Sequence, residues 1–203
     1  MSTHVGIDRR LYELGLLAPS GYFVGLHIRF TSPLMRFQTY DQVWIDHYTN
    51  NGYVLRDPMT AWGFSTTGSI RWSDPRLPDP FGLFKEAEVF GLKYGVTVAY
   101  GPISSRTIGS VARPDREFTD HEIEKITVIV HNLHDMTEPP EDLTPAQIEA
   151  LKCIAGGDRH AAAAAKLGIS ESALKARLIS ARQRLMARTT AEAIQRAKDY
   201  RLL

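Results

Sequence analysis

Residues 143 to 157, LTPAQIEALKCIAGG, constrain the fold most strongly because nearly every position carries a helix signal. Thr144 and Gln147 have the spacing of a capping box, which satisfies free backbone donors at a helix start. Pro145 suits the first helical turn, and Gly156-Gly157 suits a helix end. The stretch therefore predicts one helix of about three turns.

Two further helices follow at once. An alanine-rich segment runs to Leu167 and stops at Gly168, and Ser170 then caps a third helix. Two helices joined by a short glycine-containing turn form a helix-turn-helix. A fourth helix is predicted over residues 190–200. We therefore expect an all-α, four-helix helix-turn-helix domain over residues 143–203.

The third helix of this domain has one apolar face and one polar face. The predicted core face holds Leu174, Leu178, Ala181 and Leu185, and the outward face holds Ser172, Lys175, Ala176, Ile179 and Arg182. Residues 143–203 contain eleven Lys and Arg against five Asp and Glu, whereas the rest of the chain has thirteen against eighteen. Such asymmetry favours a polyanion as the partner of the C-terminal part, although a merely solvated basic face has the same pattern. The predicted DNA-contacting residues are Arg159, Ser172, Lys175, Arg177 and Arg182.

The N-terminal part has a different pattern. Strands are predicted over residues 21–30, 95–100 and 106–112, and helices over residues 40–48, 83–90 and 120–134. The proline-containing stretch MTEPPED, residues 136–142, interrupts the helical periodicity on both sides and predicts a linker. Residues 1–135 are therefore expected to form an α+β domain, with a central antiparallel sheet flanked by helices.

The C-terminal motifs carry a family resemblance. LTPAQIEALKCIAGG, KLGISESALKARL and RLMARTTAEAI closely resemble the DNA-binding domain of LuxR-type regulators. The chain departs from that pattern at Ala162, where the family usually has Glu, and at Ile179, where it often has a polar or basic residue. The resemblance implies a transcription regulator that binds a palindromic DNA site as a homodimer, and the helix over residues 120–134 is a candidate dimer element.

A second resemblance lies in the N-terminal part. Tyr40, Trp44, Tyr48, Asp57, Pro58 and Trp72 resemble, with the same intervals, the signature of the autoinducer-binding domain of quorum-sensing LuxR-type receptors. Phe90-Gly91 and residues 95–97 resemble its next block, and Ser110 lies near a pocket hydroxyl position. The resemblance implies an N-acyl homoserine lactone as ligand and no cofactor. The predicted ligand-binding residues are Tyr40, Trp44, Tyr48, Asp57, Trp62, Trp72, Phe84 and Ser110.

The side-chain chemistry suits such a ligand. The Trp44 indole N–H suits the lactone carbonyl, the Tyr40 phenol can donate to the amide carbonyl, and the Asp57 carboxylate can accept from the amide N–H. Two simpler interpretations stay open. Aromatic residues at this spacing also form ordinary protein core, and Asp57 before Pro58 is equally the N-cap of a helix, or serves both roles.

Other functions find less support. The sequence has no nucleophile elbow, P-loop or H-E-x-x-H motif, so a lactonase or acylase is not expected. His131 and His134 share a helical face without a third ligand nearby, which predicts a solvated or dimer-facing surface rather than a metal site. Ser172 and Lys175 match S-x-x-K only formally. An orphan regulator that is ligand-independent or senses another small molecule remains open, as does a protein that blocks partner regulators, whereas a response regulator does not fit.

The single cysteine, Cys153, excludes an internal disulfide and suits a reducing compartment. No apolar run approaches the roughly 18 residues that span a bilayer, and the N-terminus lacks the apolar core of a signal peptide. We therefore expect a cytoplasmic protein with no membrane partner.

Overall fold

The computed structural model describes residues 3–28, 32–138, 143–200 and 202–203. The chain forms two compact units, Met1–Glu138 and Pro139–Leu203. Most of the predicted linker, residues 139–142, lies outside the described residues, as do the last two residues of the strand predicted over 21–30. Met136 ends a helix and Thr137 is fully buried, so these two residues belong to the first unit rather than to a linker.

The first unit contains five helices and five strands among its described residues. In chain order they are α1 Thr3–Leu17, β1 Tyr22–Ile28, β2 Met35–Gln38, α2 Gln42–Asn50, α3 Pro58–Ser65, β3 Gly68–Arg71, α4 Leu83–Val89, β4 Tyr94–Tyr100, β5 Arg106–Arg113 and α5 Asp120–Met136. Short 3₁₀ turns cover Tyr53–Leu55 and Ile103–Ser105.

The five strands form one sheet in the order β2-β1-β5-β4-β3, and every neighbouring pair is antiparallel. This confirms the predicted antiparallel sheet flanked by helices. The two edge strands, β2 and β3, were not predicted, because each has only four residues; Met35 and Phe37 of β2 alternate with polar residues, but over too short a stretch to predict a strand. Helix α1 was not predicted either, and its two glycines, Gly6 and Gly15, weaken the helix signal of its sequence, THVGIDRRLYELGLL.

The two faces of the sheet carry side chains of different size. Side chains alternate between the faces of a strand, so the central strands present large aliphatic residues on one side. That side packs against α1 and α5, and its residues are Val24, Leu26, Val96, Val98 and Val111. The opposite side faces α2, α3 and α4. Its larger residues on the central strands are Phe23, Arg106 and Ile108, and the others are small or hydroxylated: Gly25, Gly95, Thr97, Ala99, Ser110 and Ala112. The candidate site lies on this second side.

Helix caps position the elements around the site. Asp41 accepts a hydrogen bond from Val43 and caps α2, so the helix starts after Tyr40 and not at it. Thr119 and Glu122 form the predicted capping box at the start of α5, and the predicted apolar stripe of that helix is buried against the sheet.

Over residues 143–200 and 202–203, the second unit contains four helices where the sequence predicts them: α6 Pro145–Ala155, α7 His160–Lys166, α8 Glu171–Arg184 and α9 Thr190–Asp199. Thr144 and Gln147 form the predicted capping box, and Ser170 caps α8. The predicted core face of α8 is buried, with Leu174, Leu178, Ala181 and Leu185 each at most 3% exposed.

Within the described ranges, no helix is long and apolar enough to cross a membrane. The same residues contain no group of three or more His, Cys, Asp or Glu side chains placed to hold a metal ion.

Candidate functional site

Asp57 is the polar centre of the candidate site. Its Oδ1 accepts the backbone N–H of Met59 over 2.8 Å, and its Oδ2 accepts the hydroxyls of Tyr48 over 2.8 Å and Thr60 over 3.2 Å. Asp57 therefore caps α3, as predicted. Burial raises the pKa of Asp57, although these three hydrogen bonds oppose the rise.

Tyr40 lies just before α2 and Trp44 lies in its first turn. The Tyr40 hydroxyl donates to the backbone carbonyl of Ser110 over 3.1 Å, which ties this residue to β5. Burial, with the nearby Asp57 carboxylate, raises the pKa values of both Tyr40 and Tyr48, so each phenol is a neutral donor at physiological pH. Trp44 is 6% exposed, and among the described residues its indole N–H has no hydrogen-bond acceptor.

A chain of hydroxyls lies on the sheet beneath these rings. The Ser110 Oγ is 2.8 Å from the Thr97 Oγ1, and the Trp72 indole N–H donates to that Thr97 oxygen over 3.0 Å. Thr97 is fully buried and also contacts the Met59 sulfur at 2.9 Å. Trp72 lies on Gly95, where a Cβ atom would be 2.1 Å from the indole ring, so only glycine leaves room for it.

Apolar side chains enclose this polar set. Trp72 stacks on Phe84 with ring centroids 5.6 Å apart, and Trp62 packs with both against Met59, Ile70 and Leu77. Trp44 packs with Tyr48 and Phe90 against Leu83, Ala87 and Leu92. All eight residues predicted to bind ligand therefore belong to one contiguous region between the sheet and helices α2, α3 and α4. Their role in binding stays a prediction.

The family match covers the same region. Residues 22–136, more than half of the 203-residue chain, match a family model described as an autoinducer binding domain. The chain belongs to this autoinducer-binding family.

The names of two relatives of this autoinducer-binding chain describe a transcriptional activator and a quorum-sensing regulator. The transcriptional activator protein RaiR of Rhizobium etli is 29% identical over 181 residues, which cover 80% of this chain and 74% of RaiR. The quorum-sensing regulator RhlR of Pseudomonas aeruginosa is 28% identical over 166 residues, which cover 74% of this chain and 69% of RhlR. The crystal structure of Escherichia coli SdiA has the same fold, with a TM-score of 0.56 at 20% identity over 97% of this chain and 91% of SdiA.

The autoinducer-binding unit contains two polar groups that the sequence analysis did not assign to the site. Thr97 joins Trp72 to Ser110, and its signal was one hydroxyl between the valines of the buried strand GVTVAY. Tyr53 packs edge-on against Tyr48, and its hydroxyl donates to Glu86, which also contacts His47 at 2.9 Å. Nothing in the spacing of Tyr53 distinguishes it from a core residue.

The prediction for the two histidines of α5 was wrong for His134. Its side chain is 5% exposed, its Nδ1 is 2.8 Å from the Thr107 hydroxyl, and its ring lies 4.1 Å from the ring of His27. The His134 backbone carbonyl is 3.0 Å from His27 Nε2. His131 is half-buried and stacks on Tyr100, with ring centroids 3.8 Å apart. The hydrogen bond of His134 to Thr107 and the stacking of His131 on Tyr100 both hold the C-terminal part of α5 against the sheet.

The residues predicted to contact DNA differ in exposure within the second unit. Ser172, Lys175 and Arg159 are exposed, and Arg177 is half-buried. Arg182 is also half-buried, and its Nε is buried without a partner among the described residues, which corrects the expectation that it points outward. Ile179 is 48% exposed on the same helix, as predicted. Arg159 is the N-cap residue of α7, and its side chain makes no capping hydrogen bond.

Proposed function

We propose that this chain is a transcription regulator whose first unit binds an N-acyl homoserine lactone and whose second unit binds DNA. The observation that carries the first part is the Trp44 indole N–H, a donor that finds no acceptor among the described residues although its ring is buried. A ligand carbonyl that accepts this N–H therefore adds a hydrogen bond that the protein alone does not make, worth about 0.5–1.5 kcal/mol.

The remaining groups complete a complementary set. The Asp57 carboxylate, which accepts hydrogen bonds from Tyr48 and Met59, is the acceptor for the ligand amide N–H. Tyr40 then exchanges its present acceptor, the Ser110 carbonyl, for the amide carbonyl of the ligand. Trp62, Trp72 and Phe84 supply apolar contact area for the ring and tail.

The DNA-binding part of the proposal is supported by charge and exposure. Eleven Lys and Arg against five Asp and Glu give residues 143–203 a positive net charge, and Lys175 and Ser172 are exposed on α8. Basic side chains release counterions from phosphate, and exposed side chains on a helix of this kind read base edges in the major groove.

The proposed regulator binds as a homodimer to a palindromic operator, because two half-sites multiply the modest specificity of one short helix. Helices α1 and α5 carry exposed apolar side chains suited to the contact between copies. Tyr12 is 69% exposed, Leu16 67% and Val128 52%. The candidate dimer surface therefore includes α1 as well as the predicted helix α5.

A specific observation favours one alternative. The Tyr40, Tyr48 and Trp72 polar tips are each bonded to protein, as in an ordinary core. A ligand-independent regulator of the same family needs only these bonds. The experiment below separates the two functions.

The test is the thermal stability of the full chain with hexanoyl homoserine lactone, and with the ring-opened hexanoyl homoserine as a matched control. A ligand that binds only the folded state adds about 2.7 kcal/mol at a hundredfold excess over its Kd. We expect a concentration-dependent rise in melting temperature with the lactone and none with the ring-opened compound. A folded chain that responds to no lactone of any chain length contradicts lactone sensing and favours the ligand-independent regulator.

A further inference from the structure

The buried side of helix α8 determines which of its residues face away from the second unit. Its core residues pack in one cluster with apolar residues of α6, α7 and α9, and they are Leu174, Leu178 and Ala181. Each residue turns about 100° around a helix axis, so the opposite side of α8 carries Ser172, Ala176, Ile179 and Gln183. All four are exposed. We call these four residues the outer stripe of α8.

Ile179 is the one large apolar member of this outer stripe. Its side chain is 48% exposed. Over residues 143–200 and 202–203, no other leucine, isoleucine, valine, methionine or aromatic residue is exposed to this degree. The second unit therefore buries or half-buries its other large apolar side chains and presents this one to its surroundings.

Basic side chains lie on both sides of the outer stripe and not within it. Lys175 lies on one side and Arg184 on the other, and both are exposed. A helix in the major groove of DNA has a phosphate backbone on each side. Cations on the two flanks therefore suit phosphate contacts, and the outer stripe is left to face the edges of the bases.

The charges of α8 also favour DNA over a second copy of the chain as the partner of this surface. The helix contains four Lys and Arg against one Asp or Glu. Two copies that met through α8 would bring eight cations together, which is unfavourable. A stable protein interface also needs about 800 Å² of surface on each partner, and the outer stripe offers one large apolar side chain.

The chemistry of the outer stripe differs from that of a surface that recognises guanine. Guanine is most often recognised by Arg or Lys, whereas the C5-methyl group of thymine is recognised by apolar contact. Ile179 and Ala176 are both apolar and lie about one turn apart on α8. The isoleucine side chain is the longer of the two, so it extends further towards the bases.

The same side chain is unfavourable opposite the other bases. Cytosine and adenine present an amino group in the major groove, and guanine presents two acceptors. An isoleucine placed against these groups removes water from them and offers no hydrogen bond in return. Ile179 therefore both favours thymine and disfavours the alternatives.

We propose that Ile179 recognises thymine through contact with its C5-methyl group, so that each half-site of the operator has an A·T pair at this position. This inference rests on the proposed DNA-binding function of the second unit. Ile179 is thus a specificity-determining residue, and Lys175 beside it contributes affinity without regard to sequence.

The test starts with the full chain, which selects duplexes from a random pool with and without hexanoyl homoserine lactone. Each thymine of a selected duplex is then replaced in turn, in both half-sites, by deoxyuridine, which pairs in the same way but lacks the methyl group. We expect one thymine position at which this change weakens binding about fourfold for each half-site, as for the loss of one buried methyl group. A selected duplex in which no thymine methyl group affects binding overturns the inference and leaves DNA binding intact. A folded chain that selects no duplex in either condition overturns both.

Two variants test the assignment to Ile179. Ile179→Ala shortens an exposed side chain and replaces it with a better helix former, so the fold is expected to be retained. Its affinities for the thymine and deoxyuridine duplexes are expected to be equal. Lys175→Gln is the matched control, since it removes a phosphate contact and is expected to weaken binding to both duplexes by the same factor. A wild-type ratio of the two affinities in Ile179→Ala, or loss of that ratio in both variants, overturns the assignment.

Discussion

The phenol of Tyr48 donates a hydrogen bond of 2.8 Å to Oδ2 of Asp57, and this contact joins helix α2 to the first turn of helix α3. The same carboxylate caps α3 through Met59. Helix capping and the proposed ligand recognition therefore involve the same side chain, which is why the sequence alone left both roles open for Asp57.

Asp57→Asn is expected to abolish or strongly weaken the response to lactone. The amide group retains one acceptor oxygen for the cap but replaces the other with a donor, which faces the ligand N–H. Loss of a hydrogen bond to a charged group is worth about 1.5–3 kcal/mol, or roughly tenfold to a hundredfold in affinity. Calorimetry with the preferred lactone measures the effect.

The matched control for this change is Asp79→Asn. Asp79 accepts the backbone N–H groups of Leu83 and Phe84 at 2.9 and 2.8 Å. The Asp79→Asn variant therefore also loses a capping carboxylate at the start of a helix. Equal losses of lactone affinity in the two variants would show that Asp57 acts through stability alone.

Gly95→Ala is expected to destabilise the first unit by about 1–3 kcal/mol, because the new methyl group would lie 2.1 Å from the Trp72 ring. Gly15→Ala is the opposite case. A Cβ there is 3.8 Å from the nearest atom of Tyr22, and alanine in a helix is favoured over glycine by up to about 1 kcal/mol. Urea unfolding measures the free energy of unfolding, which is expected to fall for Gly95→Ala and to rise for Gly15→Ala. A Gly95→Ala variant with unchanged stability would contradict the close packing of Trp72.

The buried His134 predicts a loss of stability in mild acid. Burial lowers the pKa of His134 below its usual 6.5 despite the nearby Asp135 and Glu138, so the unfolded chain binds a proton more readily than the folded one. The stability contribution of this histidine is therefore present above its unfolded pKa and is lost as the pH falls through the folded pKa.

The measurement is the free energy of unfolding between about pH 7 and pH 5, where an ordinary histidine titrates. His134→Gln is expected to be less stable at neutral pH but to show a shallower pH dependence than the wild type. His121→Gln, at an exposed position on the same helix, should keep the wild-type slope. If the free energy of unfolding of both variants depends on pH as it does in the wild type, His134 is not the source of that dependence.

Lys175→Gln is expected to weaken DNA binding and to lower the salt dependence of the affinity by about one unit in the log–log slope. The physical reason is the loss of one phosphate contact from an exposed position on α8. Lys198→Gln removes the same charge from an exposed position on α9 and should leave the slope nearly unchanged. Fluorescence anisotropy with a duplex at several salt concentrations compares the three proteins.

Sequence reasoning was most reliable where local chemistry decides the structure. The capping boxes at Thr119 and Thr144 are present because each side chain and its partner lie within one turn of the same helix. The core face of α8 followed from spacing alone. Edge strands β2 and β3 were missed because their existence depends on pairing with neighbours distant in sequence, at Gly25 and Val98 for example.

The candidate site shows the same division. The spacing of Tyr40, Trp44 and Tyr48 placed their rings in one region, but no local pattern shows that the Tyr40 hydroxyl reaches the Ser110 carbonyl seventy residues away. Likewise, the close approach of Gly63 to Ile108 joins two elements that are distant in the sequence. Such distances arise from tertiary packing, and the sequence pattern of neither element contains them.

The hydrogen bond from Tyr40 to the Ser110 carbonyl also bears on what this phenol contributes to recognition. A ligand that uses this phenol as a donor takes the place of a bond that the protein makes to itself. For the proposed ligand, binding at this phenol is an exchange of one hydrogen bond for another. Tyr40 therefore contributes more to the orientation of the ligand than to its affinity, whereas a donor without a protein partner contributes to both.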